Sequence, residues 1–186
     1  MIFSNRKFSR LLTVSSLAPI RWRMAQLASH LVVALIALVV IGGATRVMEA
    51  GLACPDWPLC YGSLFPGYQM NIQVFLEWFH RSDAFLVAIC FLVQFVAAFV
   101  WRSHLPRFFP WACAFVLLLV LFQAGLGAMT VLRLLPSAVV TGHLAVALTL
   151  VALMSSLTQK LLTPNEFSSS PIWWRVLSGG SLLAVI

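Results

Sequence analysis

The stretch AFLVAICFLVQFVAAFVW, residues 84–101, decides the fold. Gln94 is its only polar side chain, and no charged residue interrupts it. A helix needs about 20 predominantly apolar residues to cross a bilayer. The backbone must satisfy its own hydrogen bonds inside lipid, so a run of this kind predicts a transmembrane helix. Together with the residues before it, the predicted span covers 74–101.

Three further runs of this kind lie at residues 25–45, 109–132 and 138–157. Of the 186 residues, 61% are hydrophobic and only 9% are charged, whereas a soluble domain carries about 25% charged residues. This composition argues against a cytosolic enzyme, a disordered protein and a DNA-binding domain. The sequence therefore predicts an all-α integral membrane protein, with four transmembrane helices in a bundle.

The spans divide the chain into predicted segments. A cytoplasmic tail, residues 1–23, precedes a four-helix unit, 24–160, whose long external loop covers 46–73. A Ser- and Pro-rich cytoplasmic linker, 161–175, leads to a fifth apolar run, 176–186. That run is too short to span a bilayer. We therefore expect a truncated fifth helix, and a chain that is a fragment of a longer protein or the product of a misread gene end.

The 12 Lys and Arg residues predict the orientation. With the N-terminus in the cytoplasm, all but Arg46, Arg81 and Arg133 lie inside, which is a positive-inside bias. The formal charge of +7 thus belongs to membrane flanks, and we expect no nucleic-acid partner. The expected location is the inner (plasma) membrane of a cell. The mitochondrial inner membrane is the alternative, because an Arg- and Ser-rich start without acids also fits a transit peptide.

Two histidines lie at similar depth in different predicted spans. His80 is about six residues into its span and His143 about five, and both spans begin on the outer side. Two facing imidazoles at one depth are what the two axial positions of a haem iron require. The alternative is that each is an ordinary polar residue between helices. His30 and His104 have no partner at their depth, and we interpret them as structural.

Charged residues accompany His80 at the start of its span. Glu77 lies three residues before His80 and four before Arg81, a spacing that places them on one helix face. Arg46 and Arg81 are the external cations near the histidines, and guanidinium groups suit the carboxylates of haem propionates. Anchoring at the membrane interface is an equally good interpretation of both arginines.

The long loop contains Cys54 and Cys60 on either side of PDWPL. An oxidising compartment permits a disulfide there, for which a structural role is favoured over redox cycling. Cys90 and Cys113 lie in apolar spans, where a free cysteine behaves as a small hydrophobic residue.

Four motifs resemble one family, in the right order and at helix-compatible spacing. They are GGATRVMEAGLACPDWPLCYG at 42–62, EWFHR at 77–81, QAGLGAMTV at 123–131 and TGHLAVAL at 141–148. Together they resemble haem A synthase, and the first is most similar to cyanobacterial members. The resemblance covers roughly residues 28–157. Members of that family usually have eight spans in two related four-helix halves, and this chain resembles the N-terminal half.

The resemblance implies an oxidoreductase acting on CH or CH2 groups. The family oxidises the C8 methyl of haem O to a formyl group by successive hydroxylations with water-derived oxygen, giving haem A for terminal oxidases. By resemblance, His80 and His143 ligate the iron of substrate haem O, and Glu77 matches the proposed catalytic carboxylate. Cys54 and Cys60 match the family's disulfide. A permanent haem b is expected in the C-terminal half.

The resemblance also implies partners. Haem O comes from a protohaem farnesyltransferase, the haem O synthase, and the spans contact membrane lipid. Smaller four-span relatives pair as homodimers, so a homo-oligomer is compatible with it. The residues alone leave three other interpretations open: a bis-His b-type cytochrome for electron transfer, a membrane thiol oxidoreductase built on the loop cysteines, and a structural assembly subunit.

Overall fold

The structure, a computed structural model, describes residues 19–163 and contains four long α-helices. They are α1 (Pro19–Val47), α2 (Ile72–Val100), α3 (Phe109–Leu132) and α4 (Ser137–Leu162). By length and composition each can cross a membrane. No β-strand occurs within residues 19–163. The predicted all-α membrane bundle is therefore confirmed.

Parts of the predicted organisation lie outside the described residues. These are most of the tail, residues 1–18, most of the linker, residues 164–175, and the fifth apolar run, residues 176–186. The long loop between α1 and α2 is described completely and includes a short 3-10 helix, Gly67–Gln69.

α1 and α4 extend beyond their predicted runs, 25–45 and 138–157, at both ends, and α2 begins two residues before its run, whereas α3 coincides with its run. α1 begins at Pro19, and Arg21 in its first turn donates to the carbonyl oxygens of Leu161 (2.9 Å) and Lys160 (3.1 Å). These bonds satisfy carbonyl groups that the end of α4 would otherwise leave unpaired. At the start of α2, the side chain of Asn71 accepts hydrogen bonds from two backbone N–H groups, as an N-cap residue does.

The helices pack in a closed square. Consecutive helices are neighbours and α4 returns to α1, so α1 and α3 form one diagonal and α2 and α4 the other. Since the chain alternates direction, the end of α1, the start of α2, the end of α3 and the start of α4 meet at one end of the bundle. We call this the loop end, because the loop between α1 and α2 covers it.

The tightly packed apolar core lies towards the opposite end. All four helices contribute large buried side chains to it: Met24, Leu31, Phe91, Phe109, Leu150, Met154 and Leu161. Gln94 of α2 is also buried in that part of the bundle, whereas Glu77, His80 and His143 lie near the loop end. The fold thus separates most of the apolar core from the end that carries the buried acid and the two histidines.

Candidate functional site

His80 and His143 lie near the loop end, at similar depth. His80 follows the first residue of α2 by eight positions and His143 follows the first residue of α4 by six. At 1.5 Å per residue these positions are about 12 Å and about 9 Å along their helices. Because α2 and α4 are diagonal partners, the imidazoles approach the bundle axis from opposite sides.

Each imidazole has a buried nitrogen without a partner. Nδ1 of His80 and Nδ1 of His143 are inaccessible and make no hydrogen bond. A buried polar atom left unpaired costs free energy, so such atoms in a folded protein call for an explanation. A haem iron takes four ligands from its porphyrin and two from the protein, and a His pair across a bundle supplies them. Apart from the 3.5 Å approach of Gln123 to Nε2 of His143, neither ring nitrogen of either histidine makes a hydrogen bond within residues 19–163, so each ring keeps a nitrogen for iron and the residues present fit a haem.

Two glycines lie directly against these rings. A Cβ built on Gly42 would be 3.2 Å from Cε1 of His80, and one built on Gly127 would be 3.3 Å from Cε1 of His143. Gly42 belongs to α1 and Gly127 to α3, the other diagonal of the square. At this level the bundle therefore has imidazoles on one diagonal and residues without side chains on the other.

Gln123 of α3 contacts His143 and was not predicted as a site residue. Its Nε2 donates to the backbone oxygen of His143 at 2.9 Å and lies 3.5 Å from the ring Nε2. Its Oε1 is buried and unpaired. The sequence feature that could have indicated Gln123 is a side-chain amide inside an apolar span, one helical turn before Gly127.

Glu77 is the most deeply buried acid of the described residues, with 4% of its surface exposed. One carboxylate oxygen accepts the backbone N–H of Cys54 at 2.7 Å. The other forms a salt bridge with Arg81, four residues later on α2. Both oxygens are thus committed to charge-assisted or backbone hydrogen bonds, which hold the carboxylate in place.

Arg81 ties the long loop to α2. Its Nη1 donates to the carbonyl oxygens of Asp56 (2.5 Å) and Leu59 (2.6 Å), and its Nη2 to that of Cys54 (3.2 Å) as well as to Glu77. A guanidinium has five N–H donors, so these contacts use the four on the two terminal nitrogens. Only the Nε–H remains for another acceptor.

The sequence suggested that Arg46 and Arg81 have similar roles, but their surroundings differ. Arg46 lies in the last turn of α1 and is exposed, and its side chain makes no hydrogen bond or ion pair to any of residues 19–163. The side chain of Arg81 is only 13% exposed. Of the two, Arg46 has its full set of donors available for an anionic group.

The loop itself is cross-linked and internally bonded. Cys54 and Cys60 form a disulfide, as the resemblance implied, and both are buried. Asp56, between them, accepts the backbone N–H of Gly62 at 2.8 Å and of Tyr61 at 2.7 Å. These hydrogen bonds, that of Gly62 foremost, hold the pKa of the Asp56 carboxyl below its ordinary value.

The remaining two histidines lie away from His80, His143 and Glu77. His30 is an exposed residue of α1 whose Nδ1 contacts the Gln26 carbonyl oxygen, and His104 is exposed in the short turn between α2 and α3. Within residues 19–163 no three His, Cys, Asp or Glu side chains converge as ligands for a bare metal ion.

Comparison with known proteins agrees with the motifs. Residues 25–186 match the model of the family described as cytochrome oxidase assembly protein. A heme A synthase of Shewanella oneidensis is 33% identical, over 63% of this chain and 39% of the relative. A heme A synthase of Bacillus pumilus is 36% identical, over 50% of this chain and 31% of the relative.

A third relative carries a different name. A protoheme IX farnesyltransferase of Halobacterium salinarum is 32% identical, over 50% of this chain and 20% of that protein. The chain thus spans less than half the length of these curated relatives. No solved structure matches the chain significantly.

Proposed function

Because the chain belongs to the cytochrome oxidase assembly protein family, we propose that it is the substrate-binding half of a haem A synthase. The observation that carries this proposal is the His80–His143 pair, two imidazoles at similar depth on diagonal helices, each with a buried unpaired nitrogen. The named heme A synthases among its relatives support the choice of activity.

In this proposal the substrate is haem O, and its iron is held by His80 and His143. Axial ligation by two imidazoles leaves no open position on the iron for oxygen activation. The oxygen of the formyl product therefore comes from water. Conversion of a methyl group and one water to a formyl group releases four protons and four electrons, which an external electron acceptor has to take up, so the enzyme is an oxidoreductase acting on CH or CH2 groups.

Glu77 is the carboxylate that we assign to the reaction. It lies one helical turn before His80, and its carboxylate is held in place by the salt bridge to Arg81 and by the backbone N–H of Cys54. A fixed negative charge in a low-dielectric site stabilises positive charge that develops on a neighbouring reacting carbon. The contacts of Glu77 support this electrostatic role more than proton abstraction, because both oxygens already accept hydrogen bonds.

The same proposal assigns Arg46 and Arg81 to the haem propionates. Arg46 is exposed at the loop end with all its donors available, whereas Arg81 can offer only its Nε–H without breaking a loop contact. We therefore expect Arg46 to provide the stronger propionate contact.

The wider assignments follow the family. The chain is a multi-pass membrane protein, and the Lys/Arg distribution supports a cytoplasmic N-terminus in the inner (plasma) membrane. A protohaem farnesyltransferase supplies haem O, an order of steps with which the farnesyltransferase relative is consistent. The haem b of the family would belong to a C-terminal half beyond the described residues.

A bis-His electron-transfer cytochrome is the second candidate. The commitment of Glu77 to the loop favours it, since such a protein needs no reactive carboxylate beside its ligand. A thiol oxidoreductase receives less support, because the Cys54–Cys60 disulfide is buried and thiol–disulfide exchange needs an accessible sulfur.

The test is pigment analysis of the full chain expressed with a haem O producer that makes no haem A. Extracted haems are separated by reverse-phase chromatography and identified by mass. We expect His80→Ala and His143→Ala to lose the bound haem, and the control variants His30→Ala and His104→Ala to keep it.

Three outcomes separate the candidates. Haem A, or its hydroxylated precursor, supports the synthase. Haem O that is bound but never modified, both by this chain alone and by this chain together with a C-terminal half, supports the cytochrome when the His80 and His143 variants are empty. Retention of haem by both of those variants would contradict the ligand assignment itself.

A further inference from the structure

The two hairpins of the bundle repeat one local arrangement. In α1–α2, Gly42 lies five residues before the end of α1 and faces the His80 ring. In α3–α4, Gly127 lies five residues before the end of α3 and faces the His143 ring. Each glycine contacts the histidine of the helix that follows it in the chain.

A threonine completes the arrangement in both hairpins. Oγ1 of Thr45 donates to the carbonyl oxygen of Gly42 at 2.7 Å, and Oγ1 of Thr130 donates to that of Gly127 at 2.6 Å. The pattern Gly-x-x-Thr followed by a facing histidine therefore occurs twice. A threonine hydroxyl that bonds back to a carbonyl one turn earlier distorts the local helix, so the same helix geometry is imposed at both glycines.

What distinguishes Gly42 and Gly127 from the other glycines of their helices is the imidazole that faces each of them. Glycine is less favourable than alanine inside a helix. At Gly43 and Gly125, on the same helices, an added Cβ would have no neighbouring atom within 4 Å, so a side chain would fit at either. At Gly42 and Gly127 it would press on an imidazole instead.

We propose that Gly42 and Gly127 are positioning residues that set the orientation of the His80 and His143 rings. This inference rests on the proposed function, in which those rings ligate a haem iron. A methyl group at either glycine would approach Cε1 of the ring to 3.2–3.3 Å, closer than ordinary van der Waals contact. The imidazole would have to rotate or shift by a few tenths of an ångström, and its nitrogen would leave the line to the iron.

The test compares Gly42→Ala with Gly43→Ala, and Gly127→Ala with Gly125→Ala, in the full chain in membranes. The probe is iron protoporphyrin IX, measured as haem retained per protein and by electron paramagnetic resonance. The low-spin ferric signal of a haem with two imidazoles depends on the angle between their planes. It therefore reports ring orientation, which helix packing alone would not move.

We expect Gly42→Ala and Gly127→Ala to bind haem about 10-fold more weakly than the parent. This is the low end of the loss of metal affinity that follows when a group that orients a metal ligand is changed. We also expect a shifted low-spin signal in the haem that remains. Gly43→Ala and Gly125→Ala should match the parent in both measurements, because alanine is the better helix former and meets nothing there.

Other results would overturn the inference. Parent-like affinity and signal in both contact variants would do so, and so would equal shifts in the control variants. Formation of the Cys54–Cys60 disulfide serves as the check of folding. If both contact variants fail to fold while both controls fold, the glycines serve helix packing and the positioning role is wrong. A parent chain that never gives a two-imidazole signal refutes the proposed function as well.

Discussion

Arg81→Met should release the long loop from the bundle. The guanidinium makes three hydrogen bonds to loop carbonyls, at Asp56, Leu59 and Cys54, and one salt bridge to Glu77. Methionine keeps much of the apolar stem but provides none of the donors. The variant would also leave the Glu77 carboxylate buried without its cation.

The magnitude follows from burial. Glu77 is 4% exposed and the Arg81 side chain 13%, and removal of one partner of a buried ion pair costs about 3–5 kcal/mol. We take about 3 kcal/mol, the low end of that range, because the Arg81 side chain is not completely buried. At about 1.4 kcal/mol per factor of ten, the detached fraction of the loop rises about 100-fold.

The assay uses the disulfide that the loop buries. Cys54 and Cys60 are inaccessible in the folded loop, so a phosphine reductant reaches them only when the loop opens locally. Membranes are exposed to the reductant for increasing times, free thiols are labelled with a polymer maleimide, and the labelled fraction is read on a gel. We expect reduction of the Arg81→Met protein to be about 100-fold faster than that of the parent.

Two comparisons test the reasoning. Arg46→Met removes an arginine from the same end of the bundle that has no partner among residues 19–163, and should leave the rate unchanged. Adding Glu77→Gln to Arg81→Met should recover part of the protection, since a neutral amide is less costly to bury than an unpaired carboxylate. Parent-like protection of the disulfide in Arg81→Met would refute the role of the arginine in holding the loop.

Three further predictions use other contacts. Because the pKa of Asp56 is lowered in the folded loop, its carboxylate stabilises the loop at neutral pH, and this stabilisation is lost as the pH falls below 3.8. Protection of the disulfide from the reductant should therefore fall in acid, and it should fall less in Asp56→Asn. Identical pH profiles for the parent and Asp56→Asn would contradict the role of Asp56. Arg21→Gln should lower the stability of the detergent-solubilised bundle by about 1 kcal/mol, since two carbonyls at the end of α4 lose a donor; Arg23→Gln is the control, and equal unfolding midpoints would refute the assignment. Gln123→Leu removes the 2.9 Å hydrogen bond to the backbone oxygen of His143, and it should lower the free energy of unfolding by about 1 kcal/mol in the same measurement. An unchanged unfolding midpoint would contradict this expectation.

The helices and the depth of the histidines were predictable because both depend on distances along the chain. Apolar runs long enough to cross lipid leave helix as the only structure that pairs the backbone. A fixed rise per residue then places His80 and His143 at similar depth from the loop end. The bounds of the helices were less predictable, because Arg21 and Asn71 extend or cap helices outside the apolar runs.

The lateral contacts were not predictable from the same pattern. Hydropathy does not determine how a helix rotates about its axis when lipid surrounds the bundle on all sides. Gly42, Gly43, Gly125 and Gly127 therefore look equivalent in sequence, although only Gly42 and Gly127 lie against an imidazole. The packing of neighbouring helices makes this distinction.

The partners of Arg81 illustrate a second limit. Its pairing with Glu77 follows from helical spacing of four residues. Its bonds to loop carbonyls depend on how residues 48–71 fold back over α2, which no periodic pattern encodes. Helical spacing alone makes Arg81 a candidate for binding a haem propionate. In the structure, most of its N–H groups instead donate to the loop carbonyls and to Glu77.

The contacts of Arg81 also limit the chemical role that Glu77 can have. A carboxylate that accepts a proton must give up negative charge, and here that charge is paired with Arg81 and bonded to the Cys54 amide. Protonation would weaken both contacts and loosen the loop that Arg81 holds. An electrostatic role needs no such change, because the carboxylate acts through the charge that the network already fixes. The same contacts that fasten the loop therefore favour Glu77 as a fixed charge beside His80 over Glu77 as a base.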